Sequence, residues 1–120
     1  MKVLIIDDSP TEAHVVTGYL SRQNMEVLVA TNAEDGIKVA QQEQPDVILM
    51  DVVMPGMNGF QATRHLTKNP QTSHIPIIIL TTKGAETDRV WGMRQGASDY
   101  LVKPVEENEL ITRLNALINK

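Results

Sequence analysis

Lys2-Val3-Leu4-Ile5-Ile6-Asp7-Asp8-Ser9-Pro10-Thr11-Glu12 passes from an uninterrupted apolar run, through two acids, straight into the start of a helix. The apolar run is too short for a helix and shows no polar alternation. It reads as a strand buried on both faces, the habit of parallel sheets. The helix start carries a capping Ser9, Pro10 at the first helical position and Glu12 at the third. That is the pattern of a capping box, opening a helix through about Arg22.

The same motif of short apolar run and longer helical stretch repeats along the chain. Further runs lie at Val27–Ala30, Val47–Met50, Ile77–Leu80 and Tyr100–Val102, and the starts, counting Val3, fall 20 to 30 residues apart. This spacing leaves room for one crossover helix between successive strands. Asn32, followed by Glu34 and Asp35, starts a second helix that Gln44-Pro45 ends. Asn58-Gly59 opens a third, running to about Lys68. A fourth covers roughly Ala85 to Gln95 and stops at Gly96, and a fifth runs from about Glu106 to Ile118. Its apolar stripe is Leu110, Ile111, Leu114, Leu117 and Ile118. Five strands and five helices in alternation predict an α/β fold: an open, doubly wound parallel sheet with helices on both faces.

Composition narrows the function. The 120 residues suffice for one domain, 1–120, with no stretch left over for an output domain. The chain has no cysteine, which excludes a disulfide scaffold, a thiol nucleophile and a zinc–thiolate site. A net charge of -4 disfavours direct DNA binding. No apolar run approaches the roughly 20 residues of a membrane span, so no membrane insertion is expected. Two acids come too early for a signal peptide, and a cytoplasmic module is expected.

In an open parallel sheet, ligands bind beyond the carboxyl ends of the strands. Those ends carry Asp7 and Asp8, Asp51, Thr81 and Lys103. Carboxylates so grouped repel; at an effective dielectric of about 20, a pair about 4 Å apart costs about 4 kcal/mol. A hard divalent cation, Mg²⁺ or Mn²⁺, would relieve that cost. Carboxylates, cation, lysine and hydroxyl together suit a phosphoryl group, with Lys103 on one oxygen and Thr81 donating to another. Asp51 stands alone on a central strand, with the Met54-Pro55-Gly56 loop beyond it, and is the expected nucleophile. Each residue alone has an ordinary reading: acids at a helix N-terminus, a loop cap, a β-branched strand residue, a turn lysine. Those readings would have to coincide at four strand ends. His14, His65 and His74 show no ligand-like spacing, and Met50, Met54 and Met57 read as packing.

The stretches Asp7-Asp8-Ser9, Leu49 to Gly59, Leu80-Thr81-Thr82 and Gly96 to Pro104 resemble the receiver domain of two-component response regulators, the chemotaxis CheY type. The resemblance covers the whole chain and implies strand order 2-1-3-4-5, the flavodoxin-like arrangement. It implies Asp51 as phosphoacceptor and Asp7 and Asp8 as Mg²⁺ ligands, Asp8 the more direct, with the Val53 backbone carbonyl completing the set. It also implies Thr81 and Tyr100 as a switch pair in which Tyr100 turns inward on phosphorylation, and a cis Lys103–Pro104 peptide. Three stretches, Asp8 to Glu12, Gly59 to Arg64 and Glu86 to Gly96, resemble regulators of type IV pilus twitching motility, the PilH type. That implies a histidine kinase of chemotaxis type as phosphodonor and control of pilus extension or retraction as output. The switch pair is expected to report to a protein target on the face of helix 4, strand 5 and helix 5. Trp91 on that helix is expected to pack. Val53 and Lys83, two residues beyond Asp51 and Thr81, are expected to tune dephosphorylation.

Other functions fit less well. A phosphatase with an aspartate nucleophile on strand one needs Asp-x-Asp, and position 9 is Ser. A flavodoxin-like cofactor binder needs amides and hydroxyls, not two acids, in its first loop. A non-phosphorylated adaptor does not need Asp51, Thr81 and Lys103 together. A phosphorelay intermediate or phosphate sink would use the same residues and stays open.

Overall fold

Strand and helix alternate from end to end in the computed structural model, which describes residues 1–118. The elements are β1 (Lys2–Ile6), α1 (Pro10–Ser21), β2 (Glu26–Ala30), α2 (Ala33–Glu43), β3 (Val47–Met50), α3 (Gly59–Lys68), β4 (Ile77–Thr81), α4 (Glu86–Arg94), β5 (Asp99–Val102) and α5 (Glu107–Ile118). All strands are parallel, in the order β2-β1-β3-β4-β5. Chain order and sheet order part company at β1, which sits between β2 and β3. This is the switch point of a doubly wound sheet.

The central strands are apolar on both sides because both sides are covered. Val3, Ile5, Val47, Leu49, Ile78, Leu80 and Leu101 face α1 and α5, meeting Ala13, Val16, Leu20, Leu110 and Leu114. Leu4, Ile6, Ile48, Met50, Ile77 and Ile79 face the other side, meeting Ile37 and Ala40 of α2 and Ala62 and Leu66 of α3. Met54 is buried on this side and anchors the loop after β3. The run Val27–Ala30, expected to be buried on both faces, is not: Val29 is 48% exposed. β2 is an edge strand, so its outer side has no neighbouring strand to close over it.

Two helix details also depart from expectation. Ser9 Oγ accepts the Glu12 N–H at 3.3 Å, as a cap should, but the Ser9 N–H donates to Asp7 Oδ1 at 2.9 Å. The reciprocal half of that capping box is therefore taken by Asp7. The complete box stands at α3, where Asn58 and Gln61 exchange bonds of 2.9 Å each way. Trp91 does not pack: it is 49% exposed, beside exposed Val90 and Met93. Helix α4 buries only Gly92. A Cβ on Gly92 would lie 2.9 Å from Ile79 Cδ1 and 3.0 Å from the Tyr100 ring, so backbone sits where a side chain would otherwise separate helix and sheet.

Gly59 has a similar constraint at the site end. A Cβ there would overlap the Asp51 carbonyl oxygen and lie 2.7 Å from Val52 Cα, both backbone atoms that cannot yield. Gly59→Ala should therefore destabilise the fold by about 2–3 kcal/mol. Gly18→Ala, in the middle of α1 with its nearest neighbour 3.9 Å away, should stabilise by about 0.5–1 kcal/mol. Urea denaturation midpoints of the two variants check both signs.

Candidate functional site

Two backbone bonds bring the acids together. The Asp51 N–H donates to the Ile6 carbonyl at 2.9 Å, and the Asp7 N–H donates to the Ala30 carbonyl at 3.0 Å. Each acid is thus the first residue past its strand, still tied to the neighbouring strand, at the carboxyl rim of the switch point. Asp7 and Asp51 are buried, Asp8 is exposed, and one carboxylate oxygen from each lies within 4.8 Å of the others. Lys103 follows β5, and its N–H donates to the Thr81 carbonyl at 2.8 Å. Its ammonium lies 2.9 Å from Asp7, 3.2 Å from Glu12 and 3.9 Å from Asp51. The Lys103–Pro104 peptide is cis, as the resemblance implied.

These groups disagree electrostatically. Burial pushes the Asp51 carboxyl up to about 6; Lys103 and the Val52 and Val53 amides pull it down, while Asp7 pushes it further up. Burial works against the Lys103 charge, but the Asp7 hydrogen bond and the Asp51, Asp7 and Glu12 carboxylates outweigh it, and the net shift is upward. One ammonium among this many carboxylates leaves excess negative charge. The donors of the cluster are all carboxylate oxygens, a set that suits a hard divalent cation such as Mg²⁺.

Thr81 ends β4 and is fully buried, and the pairing of Ile79 with Met50 sets it just past the level of Asp51 on the adjacent strand. Its Oγ1 accepts the Lys83 N–H at 3.3 Å. The Lys83 carbonyl in turn accepts the Tyr100 hydroxyl at 2.6 Å. Tyr100 was expected to turn inward on phosphorylation, yet the residue is already only 4% exposed. The space is supplied by Gly92, over which the ring lies, and the hydroxyl is held by Lys83. Burial pushes the phenol up to about 12, with a further upward push from Asp88. Val53 and the Lys83 side chain are exposed at the rim, while His14, His65 and His74 are exposed away from the acidic cluster.

Sequence reasoning missed Glu12 as a member of the site. It assigned Glu12 to the helix cap, whereas the carboxylate reaches Lys103 at 3.2 Å. Nothing local signals a pairing between residues 91 positions apart.

Comparison with known proteins agrees with this geometry. The model of the response regulator receiver domain matches residues 3–115. Protein PilH of Pseudomonas aeruginosa is 58% identical over 117 residues, covering 98% of this chain and 97% of that one. The Vibrio cholerae chemotaxis protein CheY4 superposes with a TM-score of 0.90 at 33% identity, covering 97% of each chain. The receiver domain of a Pseudomonas aeruginosa sensor histidine kinase, solved with a magnesium ion coordinated in its active-site cleft, superposes with a TM-score of 0.92 at 28% identity, covering 99% of this chain and 98% of that one. With its acids, threonine and lysine on one rim of a 2-1-3-4-5 sheet, this chain belongs to the response regulator receiver domain family.

Proposed function

We propose that this receiver domain accepts a phosphoryl group on Asp51 from a histidine kinase of chemotaxis type, in a Mg²⁺-dependent step. It then signals to a protein partner through the α4–β5–α5 face, in the control of type IV pilus twitching motility. The observation that carries the reading is the Lys103 ammonium poised 3.9 Å from Asp51, beside two further carboxylates, Asp7 and Glu12. Likeness to PilH supports the pathway. An Asp51 carboxylate oxygen attacks the phosphorus of a phosphohistidine; the O–P bond forms, the P–N bond breaks, and the electron pair stays on the imidazole nitrogen, which takes up a proton. Asp7, Asp8, Asp51 and the Val53 carbonyl would hold Mg²⁺, with Mn²⁺ as a substitute. Bound there, the cation compensates the charge on the carboxylates and the incoming phosphoryl oxygens. Lys103 draws one phosphoryl oxygen, and the Thr81 hydroxyl donates to another. On this reading the chain acts as a signalling module in the cytoplasm and turns over only its own phosphoryl group.

Because Tyr100 is already inside, the signal would pass through Lys83. Its amide proton is on Thr81 and its carbonyl is on the Tyr100 hydroxyl, so a Thr81 that moves toward phosphate disturbs both ends of one residue. The exposed face beyond, with Arg89, Trp91 and Met93, carries the change to a partner.

Incubation with acetyl phosphate and Mg²⁺ should add one phosphoryl group by intact mass, lost on chelation and in Asp51→Asn. Label that persists in Asp51→Asn would overturn the assignment. Asp8→Ala should weaken Mg²⁺ binding more than Asp7→Ala. Thr81→Ala should still take the phosphoryl group but lose the change in Trp91 fluorescence.

The Asp51 environment also sets a pH signature. Its folded carboxyl titrates at about 6 against an ordinary 3.8, so between these values the folded state binds more protons than the unfolded one. Stability should fall as pH rises through that window. In cation-free buffer at pH 7.5, Asp51→Asn should be more stable than the parent by about 1–3 kcal/mol. The gap should close toward pH 4 and narrow on adding Mg²⁺, as thermal unfolding can measure.

Hydrolysis of the aspartyl phosphate needs a water in line with the breaking bond. Exposed Val53 can neither donate nor accept through its side chain, and charged Lys83 cannot accept. Self-dephosphorylation should therefore be slow. Val53→Asn and Lys83→Glu, singly and together, should shorten the lifetime of the phosphorylated form, and unchanged decay curves would remove both side chains from control of the water.

A further inference from the structure

Lys103 has three carboxylate partners, and they are not equivalent. Asp7, at 2.9 Å, is 6% exposed in its side chain, and Asp51, at 3.9 Å, is 8% exposed. Glu12, at 3.2 Å, is 44% exposed. The ammonium is therefore held closer to Asp7 and Glu12 than to the residue on which it is needed. Glu12 can hold it only because its helix start is built in an unusual way. Asp7 occupies the Ser9 N–H that a capping-box glutamate would take, and this leaves the Glu12 carboxylate without a capping bond to make. Its backbone is nonetheless fixed, since its N–H is on Ser9 Oγ and α1 is seated on the core through Ala13 and Val16.

We infer that Glu12 is a positioning residue that holds Lys103 back from Asp51 and competes with the phosphoryl group for its ammonium. This rests on Asp51 being the phosphoacceptor. When a tetrahedral anion arrives on Asp51, Lys103 has to turn toward it, and one of its contacts has to yield. The contact to Asp7 is the shorter one, 2.9 Å, and is buried on both sides, so it is the harder of the two to break. The contact to Glu12 is half in solvent, so water replaces the ammonium at little cost. Glu12 is therefore the partner that lets go. Until it does, its pull lowers the affinity of the site for the anion. Along the same side of α1, Glu12 and Lys103 also form one wall of a cavity of about 320 Å³ lined by Val15, Val16, Tyr19 and Pro104, so a released Glu12 side chain has room to leave.

The test uses beryllofluoride as the phosphoryl probe, titrated into the full chain at saturating Mg²⁺ and followed by amide shifts. Glu12→Gln, which removes the charge, should bind it about threefold to tenfold more tightly than the parent. Glu12→Asp keeps the charge but is one methylene too short to reach Lys103, and it should also bind more tightly than the parent. If Glu12→Asp behaves like the parent while Glu12→Gln is tighter, the effect is a general field and the positioning role is wrong. If neither variant changes the affinity, Lys103 is not held back at all. A ¹⁵N-labelled Lys103 ammonium signal should shift in both variants before any probe is added, a change that loss of helix stability alone would not produce. A parent that binds no beryllofluoride would instead overturn the reading of Asp51 itself, a result distinct from the other two.

Discussion

The hydrogen bond from the Asp51 amide to the Ile6 carbonyl, 2.9 Å, is the constraint on which the site depends. It extends the β1–β3 ladder one rung beyond the paired residues Ile6 and Met50. Because the strands are parallel, both chains leave the sheet at the same edge, and the two residues that leave first are acids. The charge conflict at the rim is thus a product of sheet topology and not of any local loop. An antiparallel pairing of the same two strands would put Asp7 and Asp51 at opposite ends.

A topology that forces like charges together has to be held by something else. Here it is the pair of apolar layers on either side of the sheet, in which β1, β3 and β4 are buried almost throughout. Lys103 relieves part of the conflict, and its own burial is tolerable only because three carboxylates surround it. The proposed chemistry would draw on the part that Lys103 leaves unrelieved. An acid pushed up to about 6 by burial is one whose charge the site accommodates poorly, and a cation or a covalent cap on that acid lowers the tension.

Much of this was legible in the residues. Strands buried on both faces can be written only in apolar letters, so β1, β3 and β4 stood out, and the acids ending them stood out against that background. Capping residues Ser9, Asn32 and Asn58 marked helix starts because their chemistry is local, and each caps as expected. What failed was what depends on neighbours far away in sequence. Val29 is as apolar as Ile5, and only its place at the sheet edge exposes it. Trp91 reads as core by composition, yet the close approach of Gly92 to Ile79 and Tyr100 decides which residues of α4 point inward. The rotamer of Tyr100 and the reach of Glu12 to Lys103 are set by contacts across the fold, and no local pattern encodes them.

Helix α4 is attached to the sheet by a glycine. With Gly92 as its one buried residue, it removes little apolar surface from water, so its opening free energy should lie well below that of the sheet. Such a helix should open more often than the sheet does, and its backbone amides should exchange with solvent before those of the sheet. A partner that recognises it need not wait for a rigid displacement. It can select among the brief conformations the helix already samples, and the site need only change how often each one occurs.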